Sequence, residues 1–193
     1  MTSTWQVLKE AHRALRTVTA PLQPKDSARS TPCSQWNVAQ VLQHAAGDQL
    51  GYAAAITGTG GPTFDPFAPT GDLPAGFVEE ALKTAEAAWS TVPHDAQSVP
   101  TPLPQGELSP WLAAGACALD AAVHAWDIAR ATNQPSPLTD ALSADLLKVA
   151  QELVEPLRAW GAYAAVLPPT PTDTPTETLL RYLGRNPHWT PSA

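Results

Sequence analysis

The sequence predicts an all-α bundle whose helices are joined by long connections. Three observations carry this. The 21 prolines gather at 62–74, 93–110, 135–137 and 168–175, where regular helices cannot run. Between the clusters, apolar residues recur at helical spacing. No stretch shows a convincing strand period, and no internal repeat is found.

The first helix is expected from about Trp5 to Val18, and the second from about Gln35 to Ile56, stopping at Gly58. The third is expected from about Ala75 to Val92. The fourth begins at Ser109-Pro110, a capping Ser followed by Pro at the first helical position, and stops near Asn133 before Pro135. The fifth is expected from about Leu138 to Val166, kinked at Pro156, with a short helix from about Thr176 to Leu183. A short extended piece fits between Thr91 and Gly106. The tryptophans Trp5, Trp89, Trp111 and Trp160 read most simply as core or interface residues.

A length of 193 residues fits one domain spanning residues 1–193. With 44% hydrophobic residues, the chain can bury a core. A net charge of -7 and only 11 basic residues, none in a run, argue against nucleic acid as a partner. No uninterrupted apolar run suggests a membrane span. The amphipathic N-terminus lacks a signal-peptide core, so the expected location is cytoplasmic. Cys33 and Cys117 read as reduced thiols rather than a disulfide. Cys117 lies among Ala and Gly and reads as packing, and Cys33 follows Pro32 in a loop.

The run Asp120-Ala-Ala-Val-His124-Ala-Trp126-Asp127 places a carboxylate and an imidazole four apart, on one helix face. Asp120, His124 and Asp127 project within about 60° of one another. Leu112, Leu119, Val123 and Trp126 flank this stripe on one side, with Cys117 and Ile128 on the other. A merely solvated stripe faces away from large side chains, so this one is expected to face an interior or a cleft. Two readings fit. Asp120 and His124 form an ion pair, the simpler reading on spacing alone, or they hold one divalent metal together. Asp127 reads as orienting His124 rather than touching an ion. A third ligand must come from another helix. His44, mid-way along the second helix with Asp48 one turn beyond, is the best placed, although a satisfied core histidine is the simpler reading for it alone. His12 reads as lying on a solvated face, His94 in a loop and His188 in the C-terminal tail.

The run Thr31-Pro32-Cys33-Ser34-Gln35-Trp36-Asn37-Val38 followed by His44 resembles the entry to the second helix in the DinB-like metal-binding superfamily. The closer resemblance is to the branch with the metal-binding domain of mycothiol-dependent maleylpyruvate isomerase. The runs Asp120-x-x-x-His124-x-Trp126-Asp127-Ile128-Ala129-Arg130-Ala131-Thr132 and Leu180-x-x-Leu183-Gly184-Arg185-x-Pro187-x-Trp189 resemble the same branch. The resemblance implies a DinB-like four-helix bundle with long crossover loops. It also implies His44, Asp120 and His124 as metal ligands. In the isomerase the residue matching Asp120 is Glu, and the shorter Asp either draws an ion toward the fourth helix or changes how it is held. Relatives are often homodimers. The isomerase carries a further C-terminal domain, for which no counterpart is expected here.

Two imidazole nitrogens and one carboxylate leave a position open on a divalent ion, the pattern of a catalytic site. Zinc, nickel or another first-row ion could occupy the site, and the ligand set does not choose among them, although zinc or nickel is expected. An open position can take a thiolate, so a low-molecular-weight thiol would become a nucleophile at neutral pH. The first expectation is therefore a metal-dependent transferase or isomerase that uses a thiol of the mycothiol or bacillithiol type on a small electrophile. The alternatives are a metal-dependent hydrolase, with Asp48 or Asp127 as base, and a non-catalytic metal or small-ligand binding protein linked to stress. Trp36 and Trp126 flank the ligand helices as pocket candidates, with packing the simpler role. Arg130 reads either as a site for an anionic substrate or as a surface residue suited to the helix end.

Overall fold

In the computed structural model, residues 5–159 and 161–191 are described; Trp160 lies outside them. Leu8, Ala11, Leu15 and Val18 recur at three- to four-residue spacing and form the buried face of α1 (Gln6–Thr19). The helix α2 (Val38–Thr57) starts at Asn37, whose side chain accepts from the Gln40 backbone N–H at 3.0 Å. The Gln40 side chain accepts from the Asn37 N–H in return, a reciprocal cap. The residues before it, 31–36, form a turn in which the Thr31 hydroxyl donates to the Trp36 carbonyl at 2.8 Å. This turn is why α2 starts later than the apolar pattern suggested.

Next come α3 (Phe77–Ser90), a two-residue hairpin of β1 (Val99–Pro100) and β2 (Glu107–Leu108), and α4 (Pro110–Ala131). Val99 falls within the segment expected to hold an extended piece. Ser109 sits at the start of α4 with Pro110 after it, but its side chain makes no capping hydrogen bond. The last helices are α5 (Asp140–Ala159) and α6 (Pro175–Tyr182), the latter capped by Thr174 and Glu177.

The helix α4 lies at the centre: α1, α2 and α5 pack around it, α3 covers α2, and α6 lies on α5. Of its 22 residues, 17 are buried, so its alanine-rich face is covered too. A Cβ built at Gly115 would lie 2.4 Å from Val149 Cγ2, so the missing side chain sets how closely α5 approaches. By length and composition α4 alone, among the described helices, could cross a membrane. Its surface is instead covered by the other helices, and Asp120, His124 and Asp127 interrupt it.

Two expectations need correction. The fifth helix does not reach Val166. Gly161 adopts φ +85° and closes the helix, its N–H bonding the Arg158 carbonyl while Ala162 N–H bonds that of Leu157. Residues 161–164 then turn toward the site. His12 is not on a solvated face but fully buried. Its Nε2 lies 2.8 Å from Gln49 Oε1 and its Nδ1 3.3 Å from Glu86 Oε1. Burial lowers its pKa despite these acceptors. Arg16, one turn on, joins α1 to α3 through Glu79 and Glu86.

Candidate metal centre

His44 and Asp48 from α2 face Asp120 and His124 from α4 across a cavity of about 700 Å³. His44 Nε2 lies 3.1 Å and His124 Nε2 3.4 Å from the same oxygen, Asp120 Oδ1. The ligating atoms of His44, Asp120 and His124 lie within 4.8 Å of one another. All three side chains are largely buried.

The two imidazoles are held by their other nitrogens. His44 Nδ1 donates to the Pro66 carbonyl at 2.8 Å, a residue of the long α2–α3 connection. His124 Nδ1 donates to Asp127 Oδ2 at 3.0 Å. Neutral imidazoles anchored this way turn both Nε2 lone pairs toward the Asp120 carboxylate. Three acceptors then converge with no donor between them. Asp120 Oδ2 is buried without a hydrogen-bond partner. The arrangement needs a cation, and two nitrogens with one carboxylate suit a divalent metal that keeps an open position.

A proton serves in the ion's place. Burial works against a charged His44, but the Asp120 carboxylate outweighs it and raises the imidazole to about 9. Burial likewise opposes the charged Asp120, and His124 and His44 hold it below the ordinary range. The ion-pair reading and the metal reading thus fit the same three side chains.

Asp127 is fully buried and does more than hold His124. Arg185 from the tail donates to it through Nε at 3.0 Å and Nη2 at 2.9 Å. Burial raises the Asp127 carboxyl, yet Arg185 first and His124 second bring it below the usual range. Gly184, at φ +76°, places the arginine there. A Cβ at Gly184 would lie 2.7–2.8 Å from Ala164 and its neighbour's carbonyl. The guanidinium of Arg158 further ties the Ala164 carbonyl to the carbonyl of Tyr182.

Asp48 lines the cavity one turn beyond His44, and Tyr52 one turn beyond that. Burial and the nearby Asp120 push the Asp48 carboxyl well up. Trp36 lies against the His44 ring, centroids 4.6 Å apart, and Phe67 meets its edge at 5.5 Å. Trp126 is buried in the core and does not line the cavity. Arg130 does not reach it either: Nε and Nη2 donate to the Trp189 carbonyl at 3.1 and 2.6 Å, so the residue fastens the tail. Cys33 lines the cavity, while Cys117 is buried with its Sγ 3.1 Å from Gln49 Oε1. His94 and His188 are exposed and remote from the cluster.

Arg185, Phe67 and Tyr163 are the site residues that helical spacing missed. The Gly184-Arg185-x-Pro187 run was visible, but nothing in its spacing pointed to Asp127.

The comparisons agree with this geometry. Residues 8–129 match the family described as "Mycothiol maleylpyruvate isomerase N-terminal domain", a stretch that contains all three candidate ligands and Asp127. Uncharacterized proteins from two strains of Mycobacterium tuberculosis are each 32% identical over 165 residues, covering 80% of this chain and 82% of the relative. No solved structure matches significantly. The chain belongs to the mycothiol maleylpyruvate isomerase N-terminal domain family of the DinB-like metal-binding superfamily.

Proposed function

We propose that the chain binds a divalent metal through His44 Nε2, Asp120 and His124 Nε2, and uses it to transfer or add a low-molecular-weight thiol to a small electrophile. The observation that carries this reading is the convergence of two anchored Nε2 atoms on Asp120, with one carboxylate oxygen left unpartnered inside a cavity. A divalent ion bound there favours thiolate over thiol and so supplies a nucleophile at neutral pH. The protein's own groups do the rest. Asp127 and the Pro66 carbonyl fix the imidazole rings. Arg185 keeps Asp127 ionised. Trp36 and Phe67 shield His44 at the mouth. Asp48 stands within the cavity to exchange a proton with a bound molecule. The family match supports the thiol mode, since mycothiol stands in the family's description.

Metal content, measured on the natively purified protein and on His124→Ala, tests the site. Equal metal in both refutes it. Where His124→Ala loses the metal, the holo protein is incubated with mycothiol, bacillithiol or glutathione and monochlorobimane. Turnover that needs both metal and thiol supports transfer. Metal binding without turnover with any thiol refutes the thiol reading and favours a hydrolase or a binding protein.

A further inference from the structure

The cavity around the candidate ligands has an unusual balance of charge for a site that handles small molecules. Besides the two histidines, the described ionisable residues that line it are Asp48, Asp120, Arg185, Cys33, Tyr52 and Tyr163. The thiol and both phenols are pushed up by burial and stay neutral near pH 7. Arg185 supplies the cavity's guanidinium, and its charge is matched by Asp127 in direct contact. A divalent ion on Asp120 leaves one positive charge. Asp48 leaves that sum unchanged when protonated and cancels it when ionised. Among the described residues, nothing hydrogen-bonds the Asp48 carboxyl, so it is free to accept from a ligand N–H or O–H.

Apart from Ser34 and Gln35, the remaining side chains of the wall are apolar. Leu119 and Val123 from α4 face Leu153, Val154 and Leu157 from α5 across the cavity. Phe67, at the rim, is 69% exposed despite its contact with His44. A volume of about 700 Å³ is ample for a drug-sized molecule.

We infer that the molecule taken up beside the metal position is neutral or carries a single negative charge, with an apolar body laid along Leu153 and Leu157, and that dicarboxylates are rejected. This rests on the metal reading above for the single positive charge. A dianion would bring a second charge into the cavity with no partner, and such burial is strongly unfavourable.

The experiment uses the full chain, metal-loaded and chelator-stripped, with metal content measured on each sample. N-Phenyl-1-naphthylamine, a neutral fluorophore, reports on the cavity. Two competitors are compared: 4-phenylimidazole, with one metal-binding nitrogen on an apolar body, and maleate. The expected result is saturable fluorophore binding, with 4-phenylimidazole displacing it at a concentration at least ~30-fold below maleate. Leu157→Glu, at a half-buried position, should weaken fluorophore binding about tenfold. Leu157→Arg supplies the missing cation and should narrow the gap between the competitors about tenfold. Leu157→Gln serves for wall removal should the charged variants misfold. Equal displacement by maleate and 4-phenylimidazole overturns the inference, as does fluorophore binding that no Leu157 variant weakens. Absence of fluorophore binding in both forms overturns it too. A protein that loads no metal refutes the metal site instead. The competitor ranking on that metal-free protein still decides the apolar, dianion-excluding cavity.

Discussion

Metal uptake should be coupled to a single proton at His44. Without an ion, His44 Nε2 lies 3.1 Å from Asp120 Oδ1, and the carboxylate raises the imidazole to about 9 despite burial. Near pH 7 that nitrogen is therefore protonated, and an ion must displace the proton to bind. The group lies about two pKa units above pH 7, and each unit corresponds to about 1.4 kcal/mol, so binding at pH 7 is weakened about 100-fold relative to pH above 9. Apparent affinity should rise about tenfold per pH unit from pH 7 and level off near 9. The same shift has a second sign. His44's folded pKa lies above its ordinary 6.5. Its contribution to the stability of the metal-free protein is therefore complete below about 6.5 and lost as pH rises through about 9. Titration calorimetry with nickel(II), in two buffers of different ionisation enthalpy, counts the released protons directly. About one proton per ion at pH 7.5 is expected. Affinity that stays flat from pH 7 to 8.5, with no proton released, would refute the reasoning.

Three further outcomes are expected. Asp127→Ala leaves the buried Arg185 unpaired and should cost about 3–5 kcal/mol in urea unfolding. The same change frees His124 Nδ1 and should weaken metal binding about 10–100-fold by competition with a chelator; unchanged affinity would mean that Asp127 does not orient the ligand. Gly115→Ala forces a methyl against Val149 and should cost about 1–3 kcal/mol by thermal melting, recovered in part by adding Val149→Ala. Burial, with Asp127 close by, pushes the Cys33 thiol up to about 11, so alkylation by iodoacetamide at pH 7 should be slower than for free cysteine and climb through pH 9–10. Faster alkylation than free cysteine would contradict the environment described for it.

The helices were legible because prolines and glycines bound them and apolar residues repeat within them. Their ends were less so. Gly161 closes α5 seven residues after Val154, yet the run Trp160-Gly161-Ala-Tyr163-Ala-Ala-Val166 still reads as apolar and helical. Only the left-handed backbone at Gly161 shows that the chain turns away. Asp120, His124 and Asp127 were legible as one face because a single helix carries them. His44 was the best-placed third candidate by its position in α2, but the family resemblance rather than spacing set it beside them, because its contact with Asp120 depends on how two helices pack. Arg185 escaped because 58 residues separate it from Asp127, and no periodicity spans that distance. Arg130 drew attention by lying one turn beyond Asp127, whereas its guanidinium turns outward to the Trp189 carbonyl. His12 was misread because charged neighbours, Glu10 and Arg13, surround it in sequence while Gln49 and Glu86 surround it in space.

The site is assembled from two stretches with separate tasks. Residues 8–129 match the family and hold His44, Asp120 and His124. The α5 side of the apolar wall, Leu153, Val154 and Leu157, and Arg185 come from later in the chain. Changes in the later stretch would therefore reshape the cavity wall while leaving the three candidate ligands in place. Exchanging the segment after α4 between two members would be a direct way to move selectivity from one to the other. The exchange would have to carry the arginine with it, since Asp127 stays behind.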